Sequence, residues 1–455
     1  MLNRNIFREY DIRGIADEEL LTPDVELLGQ GLATYIIRHS GSRICLGCDC
    51  RLSGTRLHDA VLKGLTAAGA KVLDLGTVPT PVLYYASTHF QADGGIMITG
   101  SHNPPEYNGI KTVCGTGTLY GKAIQDIYRL VSENDLDSGN GSVEKTDAVT
   151  PYVAEIAAQF NFSRKVKVVV DAGNGTAGPV AHAVLSRLNV EAVELFFEMD
   201  GNFPNHHPDP TVIQNLDYLC KAVKENKAEL GIAFDGDGDR IGAVDENGRV
   251  VYGDMLLLIF AREILSRKPG STFIGEVKCS QVIYDKIREL GGNPIMYKTG
   301  HSLIKTKMKQ EHAELAGEMS GHMFFADRYY GFDDAIYATC RLLEIVSNSD
   351  GPLSAQLRDI PHLVSTPELR IDCPDDVKFP LIAKVAEIMR RNSSIVDIDG
   401  VRVPFEKGWG LVRASNTQPV LVMRFEATSE DLLRQYQRQV EETVERAKKE
   451  LKLPS

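Results

Sequence analysis

The chain lacks any long hydrophobic run. No stretch of its 455 residues approaches the roughly 18 consecutive apolar residues that a membrane-spanning helix needs. The N-terminus, from Met1 to Phe7, also lacks the apolar core of a secretory signal peptide. The sequence therefore predicts a cytoplasmic protein with no membrane partner.

Cysteine is also scarce, and acidic residues outnumber basic ones by 62 to 50. Eight cysteines in so long a chain do not make a disulfide framework, and a reducing compartment keeps them as thiols. Cys45 and Cys48 have a zinc-type spacing, but no second Cys or His pair follows at metal spacing, so we interpret them as packed thiols. The net charge of −12 argues against a nucleic-acid partner, since nucleic acids select a basic face.

The length and the composition indicate a folded protein of several domains. Hydrophobic residues make up 43% of the chain and charged residues 25%, a balance that is typical of globular proteins and not of disordered ones. One hydrophobic core rarely organises a chain of this length, so we expect roughly two to four domains.

The first three quarters of the chain repeat one pattern of a short apolar strand, a polar loop and a helical stretch. The leading strands are predicted at 43–47, 166–171 and 272–278. Ligands of such α/β units bind beyond the carboxyl ends of the strands, so three units that face one another would bring three loops to one cleft. From about Pro367 the pattern changes to that of an α+β domain. Its predicted strands are 369–372, 395–398, 410–413 and 419–424, and its predicted helices lie near 378–390 and 430–450.

The segment from Thr99 to Pro105 presents one serine hydroxyl directly after the apolar run 95–98. Gly100 allows a tight turn before Ser101, and the prolines that follow stiffen the exit of the loop. Covalent catalysis needs a hydroxyl that is held rigidly in this way. We therefore predict that Ser101 takes part in covalent catalysis.

A second loop, from Asp235 to Arg240, alternates three aspartates with glycines between two predicted strands. Carboxylates this close repel one another, and a hard divalent cation such as Mg²⁺ or Ca²⁺ suits their oxygen atoms. An EF-hand is excluded, because Arg240 occupies the sixth position, where glycine is needed. We predict a metal site on Asp235, Asp237 and Asp239. Arg240 either meets a phosphate or a transferring phosphoryl group, or pairs with a neighbouring aspartate.

A glycine-rich loop supports an alternative function. Residues Gly173 to Gly178 match the dinucleotide-binding pattern G-x-G-x-x-G, and Glu198 lies 20 residues beyond Gly178. Taken alone, this loop predicts an NAD-binding oxidoreductase. The same glycines also suit a tight strand-to-helix turn without a ligand.

The loop from Arg413 to Thr417 joins two predicted strands and is rich in groups that bind phosphate. It offers a guanidinium group, two hydroxyls, an amide and backbone N–H groups. The loop therefore predicts a phosphate site, and a surface turn is the alternative.

Together these loops resemble the α-D-phosphohexomutase family, in particular its bacterial phosphomannomutase/phosphoglucomutase branch. The resemblance spans essentially the whole chain. It rests on five motifs in the family's order, which are Phe7 to Gly14, Thr99 to Pro104, Asp235 to Arg240, Gly317 to His322 and Arg413 to Pro419.

The resemblance implies an α/β fold with three similar α/β domains that contain mixed sheets, and a C-terminal α+β domain, around a central cleft. The implied domains are a phosphoserine domain at 1–147, a metal-binding domain at 148–250, a sugar-binding domain at 251–362 and a phosphate-binding C-terminal domain at 363–455. A monomer is also implied.

The resemblance further implies reversible phosphoryl transfer between C1 and C6 of a mannose or glucose phosphate. Ser101 would carry the phosphoryl group in the resting enzyme and, with Asp235, Asp237 and Asp239, would hold Mg²⁺. A sugar monophosphate would become a bisphosphate, turn over in the cleft and return its other phosphate to Ser101. Hexose 1,6-bisphosphate would thus be both intermediate and activator.

Two residues are candidates for proton transfer. Lys111 acts as a base if burial and neighbouring cations lower its pKa, and otherwise binds phosphate or faces solvent. His102 adjoins the serine and either takes part in the chemistry or supports the loop. By resemblance, Glu318 and Ser320 bind hydroxyls that both sugar poses share, so we expect dual specificity for mannose and glucose. The other implied substrate-binding residues are Tyr10, Arg13, Lys278, His301, His322, Arg413, Ser415, Asn416 and Thr417.

Two further alternatives are a metal-dependent sugar phosphatase and a non-catalytic phosphosugar-binding protein. A closed cleft would protect a phosphoserine from water, which distinguishes a mutase from a phosphatase. A binding protein has little reason to combine Ser101 with three metal carboxylates. We therefore predict a mutase whose partner is a hexose phosphate.

Overall fold

Four β-sheets organise the chain in a computed structural model, which describes residues 3–391, 393–416 and 418–453. Each sheet is built from one continuous stretch of sequence. None of the helices in these residues combines the length and the apolarity that crossing a bilayer requires.

The first sheet is mixed. Its elements are β1 (Ile12–Ile15), α1 (Thr22–His39), β2 (Arg43–Cys48), α2 (Gly54–Ala67), β3 (Lys71–Thr77), α3 (Thr80–His89), β4 (Gly94–Ile98), β5 (Tyr107–Cys114), β6 (Gly117–Thr118), α4 (Lys122–Ser132) and β7 (Ser142–Lys145). The strand order is β1-β5-β4-β2-β3-β7, with β6 paired to β5. Strand β2 runs parallel to β3 and β4, whereas β5 runs antiparallel to β4.

The second and third sheets follow along the chain. The second domain contains α5 (Val149–Gln159), β8 (Val166–Asp171), α6 (Ala177–Leu185), β9 (Val190–Leu195), α7 (Asp217–Asn226), β10 (Leu230–Phe234), β11 (Ile241–Asp245) and β12 (Val250–Val251). The third contains α8 (Gly253–Arg267), β13 (Thr272–Glu276), α9 (Gln281–Glu289), β14 (Asn293–Tyr297), α10 (His301–Glu311), β15 (Leu315–Gly317), β16 (Met323–Phe325) and α11 (Ala335–Ser347).

The three sheets share one strand order. It is β3-β2-β4-β5 in the first, β9-β8-β10-β11 in the second and β14-β13-β15-β16 in the third. In each of these orders the third strand (β4, β10 or β15) runs parallel to the second, which is the leading strand (β2, β8 or β13). The fourth strand (β5, β11 or β16) runs antiparallel to the third. The loop between those two strands carries Ser101, then 235–240, then 318–322. This shared order confirms three similar α/β domains with mixed sheets.

The last domain is an antiparallel sheet with helices. It contains β17 (Val364–Ser365), β18 (Leu369–Asp372), α12 (Asp375–Arg390), β19 (Val401–Phe405), β20 (Gly408–Ala414), β21 (Val420–Ala427) and α13 (Glu430–Glu450). Both predicted helices are confirmed. The strand predicted at 395–398 is wrong, because only Val396 pairs there, in an isolated bridge to Arg402. Ile395 packs on the core of this domain, and Ile398 packs against the cluster of Val277 and Trp409.

One hydrophobic cluster joins the first three domains, while the first domain also has a second cluster of its own and the fourth has a separate core. One cluster runs through α3, α5, β8, α8 and α11, where Tyr85 and Tyr152 meet edge to face at 5.4 Å. The last domain packs α12 and α13 on its sheet around Val385 and Phe425. Trp409 connects it to Val277 of the third domain. The loops of the first three domains are therefore held by a shared core.

Candidate active site

Ser101 lies at the turn after β4 and is only 2% exposed. Its φ of +49° is in the left-handed region, which strains a residue other than glycine. The Ser101 N–H donates to Thr99 Oγ1 at 2.8 Å and so supports the strained turn. The Ser101 hydroxyl donates to Asp235 Oδ2 at 2.8 Å, and its Oγ lies 3.0 Å from His102 Nδ1. The hydroxyl therefore joins the serine loop to the acidic loop of the second domain.

Arg51 holds the serine loop, and the sequence motifs do not reveal that role. Its side chain is completely buried, and its Nε donates to Asp49 Oδ2 at 3.2 Å. The guanidinium also donates to four backbone carbonyls, which are Pro104 at 2.5 Å, Tyr107 at 3.0 Å, Ser101 at 2.8 Å and Asn103 at 2.6 Å. The sequence feature that indicates this role is an arginine two residues after an aspartate in the turn that follows β2.

The acidic loop wraps around one of its own carboxylates. Asp235 Oδ1 accepts the N–H groups of Gly238, Asp239 and Arg240 at 3.0 to 3.1 Å. Ligand atoms of Asp235, Asp237 and Asp239 lie within 4.8 Å of one another, and all three residues are buried. Among the described residues, Oδ1 of Asp237 and Oδ1 of Asp239 have no hydrogen-bond partner. Buried carboxylate oxygens without donors fit a hard divalent cation.

Lys111 neutralises this cluster. Its Nζ donates to Asp237 Oδ2 at 2.7 Å and to Asp239 Oδ2 at 2.5 Å. Burial alone would lower the pKa of Lys111, but the two carboxylates outweigh burial and raise that pKa well above its usual range. A lysine that acts as a general base needs neighbouring cations to lower its pKa, whereas the Lys111 ammonium contacts two carboxylates. Lys111 is therefore a charged ammonium group in this arrangement.

The glycine-rich loop packs against the acidic loop. The Thr176 N–H donates to the Gly236 carbonyl at 2.9 Å, and a Cβ atom at Gly175 would lie 2.8 Å from the same oxygen. A Cβ at Gly236 would collide with the Ser101 carbonyl oxygen. The glycines thus allow three loops to stack, and the space where a pyrophosphate would approach Gly175 holds protein. The NAD-binding alternative is therefore not favoured.

Arg240 of the second domain meets His322 of the third domain, opposite it in an isolated bridge. Its Nε–H donates to His322 Nε2 at 2.9 Å. The His301 ring stacks against the His322 ring, with centroids 5.6 Å apart and planes inclined by 17°. His322 Nδ1 lies 3.0 Å from Asp333 Oδ2. Asp333 is fully buried and belongs to none of the motifs.

The predicted sugar-binding residues lie in the third domain. Glu318 Oε1 accepts the Gly300 N–H at 2.7 Å, and burial raises the pKa of this carboxyl. Ser320 is half-buried and, within the described chain, makes no hydrogen bond to another predicted residue. Lys278 Nζ donates to Glu368 Oε2 at 3.1 Å. Lys278 thus connects the third domain to the start of the fourth.

The phosphate-type loop of the fourth domain is held by Asp399. Arg413 Nε donates to Asp399 Oδ2 at 3.0 Å, and the Thr299 N–H donates to the same oxygen at 3.1 Å. One carboxylate, which the motifs do not reveal, therefore positions loops of two domains. Ser415 Oγ accepts a backbone N–H in the same loop at 3.2 Å. Thr417 lies outside the described residues.

Residues of the first domain close the cleft. The Tyr10 hydroxyl donates to the Thr299 carbonyl at 3.0 Å and accepts from Asn416 Nδ2 at 2.6 Å. Arg13 Nη1 donates to Asn103 Oδ1 at 3.0 Å, which places it beside the serine loop. Tyr10 and Asn416 thus meet the third-domain loop at Thr299, and the His301 ring lies 6.4 Å from the Tyr10 ring.

Four family models match consecutive stretches of the chain. Their descriptions are phosphoglucomutase/phosphomannomutase alpha/beta/alpha domains I, II and III, at residues 4–138, 150–248 and 252–364, and the C-terminal domain at 368–443. The chain belongs to the α-D-phosphohexomutase family. The domain boundaries drawn from the sequence stay predictions.

Relatives of this phosphohexomutase match it over nearly the whole chain. The phosphomannomutase/phosphoglucomutase of Pseudomonas putida is 46% identical over 99% of this chain and 97% of its own length. The phosphoglucomutase of Neisseria gonorrhoeae is 44% identical over 98% and 97%. A crystal structure of a phosphoglucomutase/phosphomannomutase family protein from Burkholderia thailandensis, 44% identical, superposes with a TM-score of 0.93 over 98% of both chains.

Proposed function

We propose that this chain moves a phosphoryl group reversibly between C1 and C6 of mannose and glucose phosphates by way of Ser101. Membership of the family makes it a hexose-phosphate mutase. One observation carries the assignment to Ser101, namely the buried contact of 2.8 Å between Ser101 Oγ and Asp235 Oδ2, beside two further carboxylates and Arg240. A phosphoryl group on that oxygen would lie where a cation and a guanidinium offset its charge.

The chain's residues fit a bound metal cofactor, and we propose Mg²⁺. Asp235, Asp237 and Asp239 offer only oxygen ligands, and two of those oxygens accept no hydrogen bond from a described residue. Ser101, once phosphorylated, would add a further oxygen. When bound, the cation supplies positive charge that offsets the charge of the phosphoryl group.

The first transfer breaks the P–Oγ bond of phosphorylated Ser101 and forms a bond from phosphorus to a hydroxyl oxygen of the bound hexose monophosphate. Over the whole transfer, the proton that this hydroxyl loses is the one that Ser101 Oγ gains, so no proton is left over. His102 Nδ1 is 3.0 Å from Oγ. Burial and the nearby Arg240 lower the pKa of His102 well below its usual range, so its neutral ring supports the loop and exchanges a proton only transiently.

The return transfer needs a second phosphate position. Arg413, Ser415, Asn416 and Thr417 would bind the phosphate that is not being transferred, in a loop held by Asp399. Glu318 and Ser320 would bind hydroxyls that both poses share. Hexose 1,6-bisphosphate would turn over between them and return its other phosphate to Ser101, which makes it an activator when added from outside.

Closure of the cleft favours a mutase over a phosphatase. The Tyr10 hydroxyl connects to Thr299 of the third domain and Asn416 of the fourth, so these domains cover the cleft together. Exclusion of water protects a phosphoserine from hydrolysis. The monomeric state and the cytoplasmic location stay predictions from the sequence.

Intact-mass analysis with peptide mapping tests this proposal. After treatment with glucose 1,6-bisphosphate, the protein should carry one phosphate on Ser101. Ser101→Ala should carry none and lose mutase activity, whereas Ser87→Ala, at another buried serine of the same domain, should keep both. An unmodified and fully active protein would refute it. Turnover of glucose 1-phosphate and mannose 1-phosphate that differed by orders of magnitude would refute the dual specificity.

A further inference from the structure

The hydrogen bond from Arg240 determines which nitrogen of His322 carries the proton. The two residues lie opposite each other in an isolated bridge, and the Arg240 Nε–H donates to His322 Nε2 at 2.9 Å. A guanidinium group can only donate, so Nε2 must be an unprotonated acceptor. The ring is therefore neutral with its proton on Nδ1.

Two carboxylates face that proton. His322 Nδ1 lies 3.0 Å from Asp333 Oδ2 and 3.6 Å from Asp239 Oδ1. Among the described residues, neither oxygen accepts a hydrogen bond and His322 Nδ1 makes none, so these are close charge contacts and not aligned hydrogen bonds. The negative charge of Asp333, the nearer carboxylate, favours a proton on Nδ1, which is the tautomer that Arg240 requires.

Asp333 is itself held in place. Lys305 Nζ donates to its other oxygen, Oδ1, at 2.9 Å, and the same ammonium lies 4.3 Å from the centre of the Tyr84 ring. Asp333 is completely buried and Lys305 nearly so. This pairing leaves Oδ2 turned toward His322.

The same three residues could be taken for a second cation site, since ligand atoms of Asp239, His322 and Asp333 lie within 4.8 Å of one another. A cation on Nδ1 would require the ring proton to move to Nε2. The ring N–H would then point at the Arg240 Nε–H, and two donors cannot form a hydrogen bond with each other. The geometry therefore favours a role for Asp333 and His322 in orienting Arg240 over a role in binding a metal.

We propose that Asp333 is a positioning residue for phosphoryl transfer: it holds the His322 ring with its proton on Nδ1, so that Nε2 anchors Arg240 and aims its guanidinium at the transferring group. Nε is the guanidinium nitrogen of Arg240 that has a partner among the described residues, which leaves both Nη groups available. The inference rests on the role proposed for Arg240 and deepens the proposed function.

Asp333→Asn tests the proposal. An asparagine can donate its amide N–H to Nδ1, which favours the proton on Nε2 and opposes Arg240. We expect kcat to fall about 100-fold, the upper end for groups that orient a site residue, while KM stays within about 3-fold. Asp333→Glu should recover part of kcat. Asp334→Asn changes the neighbouring buried carboxylate, which accepts from Tyr152 and Tyr329, and should keep kcat within about 3-fold.

A second readout does not depend on activity or on the stability of the variants. In ¹⁵N-histidine-labelled wild-type protein with Mg²⁺, two-bond ¹⁵N–¹H spectra should show His322 with its proton on Nδ1, the signal being assigned by its loss in His322→Gln. Asp333→Asn should shift it toward the Nε2–H form. A wild-type His322 protonated on Nε2, or an unchanged kcat in Asp333→Asn, would overturn the inference. Wild-type protein without mutase activity would instead refute the proposed function.

Discussion

Arg51 controls Ser101 through the backbone: its Nη2 donates to the Ser101 carbonyl oxygen at 2.8 Å, and the guanidinium is completely buried. The same group binds the carbonyls of Pro104, Tyr107 and Asn103. Arg51, from a neighbouring strand end, therefore holds the strained turn at Ser101 together with the Thr99 hydroxyl.

Arg51→Lys should misplace the serine loop. A lysine ammonium has three donors and cannot reproduce the planar fork that reaches four carbonyls. We expect kcat to fall about 100-fold, as for a displacement of about 1 Å at a reacting group, and the melting temperature to fall as well. Arg43→Lys, at an exposed arginine at the start of β2, should change neither. A folded Arg51→Lys variant with unchanged kcat would contradict this account of the loop.

Lys111→Met should strengthen Mg²⁺ binding. The Lys111 ammonium now neutralises Asp237 and Asp239, so it competes with the cation for the same two carboxylates. Its removal should raise the Mg²⁺ affinity about 10-fold, measured by isothermal titration calorimetry. Lys122→Met, at an exposed lysine of the same domain, should leave it unchanged. Weaker binding in Lys111→Met would contradict the prediction.

Gly175→Ala should disturb the metal site, because Gly175 lies in the glycine-rich loop that packs against the acidic loop. The added Cβ would lie 2.8 Å from the Gly236 carbonyl oxygen, so the acidic loop must shift. We expect the Mg²⁺ affinity to fall about 10-fold. Gly117→Ala is the matched control, since nothing lies within 4 Å of its Cβ position. Equal affinities in the two variants would argue against loop stacking as the role of this glycine.

Asp399→Asn should weaken substrate binding more than catalysis. Asp399 holds both the Arg413 guanidinium and the Thr299 N–H, and neither residue touches Ser101. KM for glucose 1-phosphate should rise about 10-fold while kcat changes less. Asp397→Asn, at an exposed carboxylate nearby, should change neither constant. A fall in kcat alone would place Asp399 in another role.

Asp327 should make stability depend on pH in the acid range. Burial alone would raise its pKa, but hydrogen bonds and charge from Arg267, Lys268 and Arg341 lower it to about 2. The unfolded value is about 3.9, so this carboxylate contributes about 2 kcal/mol above pH 4 and loses that contribution as the pH falls through 2.

Urea titrations of Asp327→Asn should show this dependence. The unfolding midpoint should be lower than in the wild type at pH 7, and the difference should shrink between pH 4 and pH 2. Asp350→Asn, at an exposed carboxylate of the same domain, should match the wild type throughout. A difference that persisted unchanged at pH 2 would contradict the sign of the effect.

Strand positions were predictable wherever local sequence decides them. The run 166–171 forms β8 with those bounds, because a series of valines favours a buried parallel strand. The run 395–398 has a similar apolar character but forms no strand, because only Val396 finds a partner. Pairing depends on a neighbour, and the local pattern does not contain that neighbour.

The sequence by itself determined which groups carry the chemistry. Ser101, the three aspartates and Arg413 each lie in a short motif whose residue types indicate a nucleophile, a metal site or a phosphate site. Only the tertiary structure decided how those groups are held. Arg51, Asp333 and Asp399 act through atoms of residues far away in the chain, and their contacts exist only once the sheets have packed. A hydrogen bond or an ion pair depends on distance in space, and distance along the chain does not encode it.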